Sequence, residues 1–235
     1  MTVDVPRETE TWVEIPAAAR AVFGDRYAAA ERYVAMLAGP GVTRGLIGPR
    51  EAERLWERHM LNSAVLGELV PDGEHILDVG SGAGLPGIPL ALARPDLTVV
   101  LLESMTRRTV WLQEVVSELE LPVRVHHGRV EDPGVRARLG GWDVVTARAV
   151  APLGRLASWC LPLLNPAGRL LAIKGDRASE EVARDAVAVR SAGGETIEIV
   201  QCGGAVVRPP TTVVVVRRGT ERVTRSVGPQ RRKNR

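Results

Sequence analysis

The residues with chemical potential in this chain gather at two carboxylates and a run of glycines. Asp78 lies near the end of a short apolar run, Ile76-Leu77-Asp78-Val79, and Gly80, Gly82 and Gly84 follow at alternate positions. The run reads as a strand covered on both faces. A carboxylate among such neighbours needs a partner, so Asp78 is expected to face a cleft and a polar or cationic ligand. The glycines remove side chains where the backbone must turn sharply and approach a ligand closely. Pro86 falls where the first turn of a helix tolerates a missing N–H. A second acid, Glu103, ends the next apolar run at 97–102, where a carboxylate can accept the hydroxyls of a ribose diol. Strand, glycine turn and helix start together describe the ligand crevice of an open α/β sheet.

Two cofactor classes use such a turn. Gly82-Ala83-Gly84-Leu85-Pro86-Gly87 matches the dinucleotide pattern G-x-G-x-x-G by letter, but Asp78 and Gly80-Ser81 lie between the strand and that frame. The other frame, Asp-x-Gly-x-Gly-x-Gly starting at Asp78, resembles the first motif of the class I S-adenosylmethionine-dependent methyltransferases.

The elements that must position these residues follow from periodicity. Residues 16–38 predict a helix stopped by Gly39-Pro40-Gly41, and a second runs from Pro49 to about Val70; together they form an N-terminal cap. Beyond the turn, helix and strand alternate: helices at 85–93, 105–119, 152–164 and 177–191, strands at 97–102, 122–126, 144–146 and 169–174. Two β-rich runs close the chain, 195–200 and 211–217. The ten residues between them hold two prolines and two glycines, too little for a parallel crossover, so an antiparallel ending is expected. The fold class is therefore α/β, a Rossmann-like class I methyltransferase sheet, mostly parallel with an antiparallel C-terminal strand pair, plus a small helical cap. The expected divisions are 1–72 for the cap, 73–217 for the core and 218–235 for a tail.

Composition narrows the class further. With 45% hydrophobic and 25% charged residues among 235, the chain can bury one full core. No run of about eighteen apolar residues crosses a membrane, and 1–14 carries four acids and no apolar signal core. Cys160 and Cys202 fit no metal spacing; they read as small buried residues in a reducing cytoplasm, and no metal is expected. The net charge of +3 is uneven, because 217–235 holds eight basic residues against one acid. That segment reads as a disordered basic arm, suited to a polyphosphate partner or to solubility alone. Only eight residues are aromatic, so base stacking on many rings is not expected. Trp56 is a possible single platform, with helix packing the plainer reading.

Several segments together resemble one family. Asp78-Val79-Gly80-Ser81-Gly82-Ala83-Gly84-Leu85-Pro86-Gly87-Ile88-Pro89 is similar to the signature of the RsmG family, also called glucose-inhibited division protein B. Arg58-His59-Met60-Leu61-Asn62-Ser63 is similar to its His-x-x-Asp-Ser segment, with Asn62 where many members carry Asp. Thr146-Ala147-Arg148-Ala149 is similar to its Ser-Arg-Ala segment, and Lys174-Gly175 to its Lys-Gly after the fifth strand. The resemblance implies a cytoplasmic, monomeric methyltransferase that carries methyl from S-adenosylmethionine to guanine N7 in 16S ribosomal RNA of the small ribosomal subunit or its precursor. It implies cofactor contacts from Asp78, Gly80, Gly82, Leu85, Glu103, Val130, Glu131 and Arg148, with Val130 and Glu131 beside the adenine. Arg148 and His59 are the expected catalytic-side residues, Arg148 for positioning because a guanidinium forks carboxylate or phosphate. Glu131 also has a plainer reading as the start of the helix near Pro133. Neither Asn-Pro-Pro-Tyr nor Pro-Cys follows the fourth strand, which argues against amine or thiolate-assisted cytosine chemistry. The competing functions are methylation of a small molecule and non-catalytic nucleotide binding.

Overall fold

The computed structural model describes residues 18–220. The stretch 1–14 and the basic residues beyond 220 lie outside the described residues. A seven-stranded sheet runs in the order β3-β2-β1-β4-β5-β7-β6. Its strands are β1 (His75–Val79), β2 (Thr98–Glu103), β3 (Arg124–His127), β4 (Trp142–Arg148), β5 (Leu164–Lys174), β6 (Gly194–Cys202) and β7 (Thr211–Arg218). The first five are mutually parallel, and β7 inserts antiparallel between β5 and β6. Connections between the parallel strands carry α4 (Gly87–Ala93), α5 (Thr106–Glu118), α6 (Pro133–Arg138) and α7 (Leu153–Cys160); α8 (Ala178–Ser191) precedes β6.

Strand parity decides which layer each side chain joins. In β7, Val213 and Val215 pack in the layer with the cap, α4 and α5, while Val214 and Val216 pack in the layer with α7 and α8. A four-valine run is thus buried on both faces of an interior strand. The same parity sends Ile76 to the cap side and Leu77 to the other, so Asp78 points to the cap side, toward α4. Because β7 runs against β5, its end at Arg218 lies by the start of β5, away from the tips of the parallel strands.

The cap differs from two regular helices. It comprises α1 (Ala18–Phe23), a tight turn Gly24–Arg26, and α2 (Tyr27–Met36), which continues in wide i→i+5 turns over Leu37–Gly41. The helix passes through Gly39-Pro40-Gly41 instead of stopping there. A proline ring clashes with the carbonyl four residues back in a regular helix, and the widened turn relieves that clash. The second stretch is tight over Pro49–Arg54, wide over Leu55–Leu61, regular only at α3 (Asn62–Ala64), and tight again over Val65–Leu69. Leu55, Met60, Ala64 and Leu66 of this stretch are all in the core, while Leu69 is only partly buried against it. Trp56 belongs there too, stacked on Tyr27 at 5.7 Å and edge-on to Phe23, so it is no exposed platform.

Close packing of α4 on the sheet depends on Gly87, the first residue of that helix. A Cβ there would lie 2.3 Å from Leu101 Cδ2 and 2.8 Å from Asp78 Oδ2. Gly87→Ala is therefore expected to cost about 1–3 kcal/mol by overpacking. Gly39 has nothing within 4 Å of such a Cβ, and Gly39→Ala should be neutral or stabilising by up to about 1 kcal/mol. Urea unfolding of both variants measures the contrast; equal stabilities would refute the packing argument.

Candidate active site

The glycine turn is held by its own main chain. Gly80, Gly82 and Gly84 take φ values of 70°, 60° and 112°, a left-handed region that side chains disfavour. The N–H groups of Gly80 and Ser81 donate to Leu102 O at 2.8 and 3.3 Å. Gly82 N–H donates to Glu103 Oε2 at 2.9 Å. Ala83 O accepts two bonds, from Tyr33 Oη of α2 and from Trp111 Nε1 of α5, each at 2.9 Å. A Cβ on Gly84 would sit 2.6 Å from that Tyr33 hydroxyl.

Both expected ligand acids are tucked behind this turn. Asp78 is fully buried; it accepts from Gly87 N–H and from the Thr146 hydroxyl, both at 3.1 Å. Its partners come from the protein, which corrects the expectation of a cleft-facing carboxylate. The cause is parity, which aims it at the start of α4. Burial pushes its pKa up to about 6 against these stabilising bonds. Glu103 is 3% exposed, and its other oxygen accepts from Met105 N–H at 2.8 Å. Each Glu103 oxygen is therefore already engaged by a main-chain N–H, one of them the turn's own. Pro86 precedes α4 at its N-cap, and the proline inside the first turn is Pro89. Leu85 packs partly buried against the cap-side core, and its N–H donates to Ser81 O.

Beside the turn lies a hollow of about 160 Å³, lined by Gly80, Ser104, Val130, Glu131, Val150 and Trp159 among others. Val130 and Glu131 are thus brought to Gly80. The helix-start reading of Glu131 fails, because Asp132 is the cap, accepting from Gly134 N–H at 2.7 Å. Val150 stands directly over Gly80, where a Cβ would meet its Cγ2 at 2.8 Å. A larger hollow of about 920 Å³ borders Gly141, Leu164 and Gly193, at the opposite end of the sheet and away from this chemistry.

At the tip of β4, Arg148 crosses to the cap. Its Nη2 donates to His59 Nδ1 at 2.8 Å and to Arg58 O at 3.2 Å, and its Nη1 to Ser63 Oγ at 3.3 Å. His59 Nε2 lies 3.0 Å from Glu51 Oε2. Since Arg148 only donates, His59 Nδ1 must be an acceptor, and the ring carries its proton on Nε2, donated to Glu51. Burial, then the Arg148 charge, holds His59 down to about 4. Among the described residues no carboxylate lies within 4.0 Å of Arg148. It is a largely buried cation held by neutral groups, its own pKa lowered by burial and by Arg58. Lys174, in contrast, is paired with Glu181 at 2.9 Å. Cys160 and Cys202 are buried, and burial raises both thiols, Cys202 to about 12.

Sequence reasoning missed Tyr33, Trp111, Thr146, Gly87, Ser63 and Glu51. Tyr33 and Trp111 fall within predicted helices and had no reading of their own, because nothing local signals where their polar ends point. Thr146 and Ser63 stood inside recognised segments without an assigned task.

A 3-2-1-4-5-7-6 sheet with an acid-glycine turn at the tip of its first strand defines the class I S-adenosylmethionine-dependent methyltransferase fold. Solved structures agree on the fold: a methyltransferase from Pyrococcus furiosus has a TM-score of 0.52 at 15% identity, covering 66% of this chain and 80% of that one. Aeropyrum pernix fibrillarin in complex with natively bound S-adenosyl-L-methionine has a TM-score of 0.50 at 20% identity, covering 68% and 74%. Residues 26–209 match the GidB family model, rRNA small subunit methyltransferase G. The proteins named ribosomal RNA small subunit methyltransferase G from Mycobacterium marinum and Rhodococcus jostii are 56% and 54% identical over 215 residues, covering 92% of this chain and 92% and 94% of theirs. The chain belongs to this family.

Two buried groups of this site titrate in opposite senses. Asp78 has its folded pKa raised from about 4 to about 6, so its contribution to stability is complete below about pH 4 and is lost as pH rises through 6. His59 has its folded pKa lowered from about 6.5 to about 4, so its contribution is complete above about pH 6.5 and is lost as pH falls through 4. Each is worth at most about 3 kcal/mol. Between pH 6.5 and 4 the two offset each other. Relative to wild type, Asp78→Asn should lose Tm more steeply on acidification across that window, and His59→Gln less steeply. Calorimetry at four or five pH values reads both; parallel curves for all three proteins would discard these assignments.

Proposed function

We propose that this chain transfers a methyl group from S-adenosylmethionine to N7 of a guanine in 16S ribosomal RNA of the small ribosomal subunit. The observation that carries the reading is that, among the described residues, His59 and Asp78 near the tip of β4 are both engaged by protein donors. His59 has one ring nitrogen accepting from Arg148 and the other facing Glu51, and Asp78 is occupied by Gly87 and Thr146. Guanine N7 presents an in-plane lone pair and no proton, so its attack needs no base. Exocyclic amines and the cytosine ring demand more. The buried, high-pKa thiols of Cys160 and Cys202 offer no thiolate for the latter.

The residues present fit the donor. The hollow lined by Gly80, Val130 and Glu131 would hold the adenine, with Glu131 as a candidate acceptor for its amine. Glu103 can take the ribose diol with lone pairs its two N–H partners leave over. Arg148 supplies an uncompensated guanidinium for a carboxylate or phosphate. When bound, S-adenosylmethionine supplies an electrophilic methyl group on a sulfonium. The protein's part is alignment and exclusion of water, and hydrogen-bond acceptors near N7 would favour the positive charge that develops there. In this reading the cap within 1–72 faces the RNA, 73–217 holds the donor, and the basic 218–235 adds phosphate contacts.

Labelled methyl from the donor should appear on one guanine of purified small subunits, with the product nucleoside identified as N7-methylguanosine. A label on a ribose or an exocyclic amine would reject the proposal. Arg148→Ala should fold normally by circular dichroism and lose on the order of 10² in rate, and Arg148→Lys should not restore it, because an ammonium lacks the fork. Wild-type rates in Arg148→Ala would remove the arginine from the mechanism.

A further inference from the structure

On the far side of Arg148 from the adenine-sized hollow lies a groove of about 560 Å³. That is within the range of about 300–1,000 Å³ that encloses small ligands. It opens at the end of β5 and the start of β7, between the cap and the 203–210 loop. Four cationic side chains line it, Arg54, Arg58, Lys174 and Arg208, against two carboxylates, Glu57 and Asp176. Lys174 is satisfied by Glu181, and Arg58 shares Glu51 at 3.3 Å. Arg54 and Arg208 are exposed, and neither has a carboxylate within 4.0 Å among the described residues. One wall is apolar: Val206, Val207, Pro209 and Pro210.

The groove is continuous with the site. Arg58 lines the groove, and its carbonyl accepts from Arg148. Asn62 lines the groove, and its carbonyl accepts from Thr211 Oγ1 at the groove's other wall. Sheet order therefore sets three features in a row across the strand tips: the hollow by β1 and β2, Arg148 on β4, and the basic groove by β5 and β7. We propose that this groove cradles the ribose-phosphate backbone of the RNA strand flanking the target base, with Arg54 and Arg208 as its phosphate contacts and the valine-proline wall against sugar and base faces. Unpaired arginines over an apolar wall suit an unstacked, single-stranded segment, whose phosphates and apolar surfaces are both accessible. The proposal rests on the methyl-transfer reading above and adds where the substrate strand runs.

The test uses the full chain with Arg54→Gln and Arg208→Gln combined, and as a control Arg32→Gln with Arg190→Gln, two exposed arginines elsewhere. Binding to purified small subunits is measured from 50 to 200 mM KCl, alongside donor affinity by calorimetry and methylation at saturating subunit. The groove variant should bind subunits about 10- to 100-fold more weakly and show a log K against log salt slope shallower by about 2. Its donor affinity and saturating rate should match wild type, and the control pair should keep the wild-type slope. A steep wild-type slope unchanged in the groove variant overturns the groove alone. A wild type without salt-dependent subunit binding or methylation overturns the groove together with the reading beneath it. Competition by polyglutamate as strong as by a single-stranded RNA of equal charge would mark the groove as a protein-docking surface and overturn the RNA assignment.

Discussion

A glycine turn offers no side chain by which it can be held, so its shape must be imposed through its main chain. Here the Ala83 carbonyl receives donors from two layers at once, the Tyr33 hydroxyl from the cap and the Trp111 indole from α5. Glu103 grips the Gly82 N–H, and Asp78 grips the start of the following helix through Gly87. Leaving any one of these buried groups unpaired costs about 1–3 kcal/mol. The bonds therefore act together, and the turn holds its form only while cap, sheet and α5 are all in register. The cap is thus part of the site, even though most of its bulk packs as ordinary core.

That dependence explains how much of the molecule is legible in its residues. The strands and their order of appearance follow from apolar runs, and the antiparallel close follows from a ten-residue connection that cannot span a crossover. The facing of Asp78 is misread as a cleft, although it shares parity with Ile76 and hence with the layer that α4 covers. The wide and tight turns of the cap were not readable, because an apolar stripe at helical spacing is compatible with several windings and tertiary packing selects among them. Nor was the junction of His59 with Arg148, 89 positions apart in the chain. No local pattern reports a contact made only when a strand tip and the cap meet.

The two acids also take on different tasks from those their spacing suggests. A carboxylate at a strand end in a glycine motif reads as a ligand group. Buried beneath the turn, each here accepts main-chain N–H bonds and so fixes the surface on which a ligand would lie. Ligand contact and support are not exclusive for Glu103, whose oxygens retain lone pairs. For Asp78, with no exposed surface, support is the whole of its direct role, and its charge acts at a distance.

The Arg148 arrangement turns on a similar separation. A carboxylate in direct contact with the guanidinium would stabilise it and also cancel its field. Glu51 instead acts through His59, whose ring stands between the two charges. At an effective dielectric of about 20, opposite unit charges attract by about 4 kcal/mol at 4 Å and by about half that at twice the separation. The interposed imidazole thus anchors the arginine with directional bonds while giving up much of the neutralisation. Such an anchor requires the ring to stay uncharged, since an imidazolium has no acceptor for Arg148. Burial and the adjacent cation enforce that state. What results is a fixed positive fork at the end of β4, aimed by neutral groups and left with most of its charge for an incoming anion.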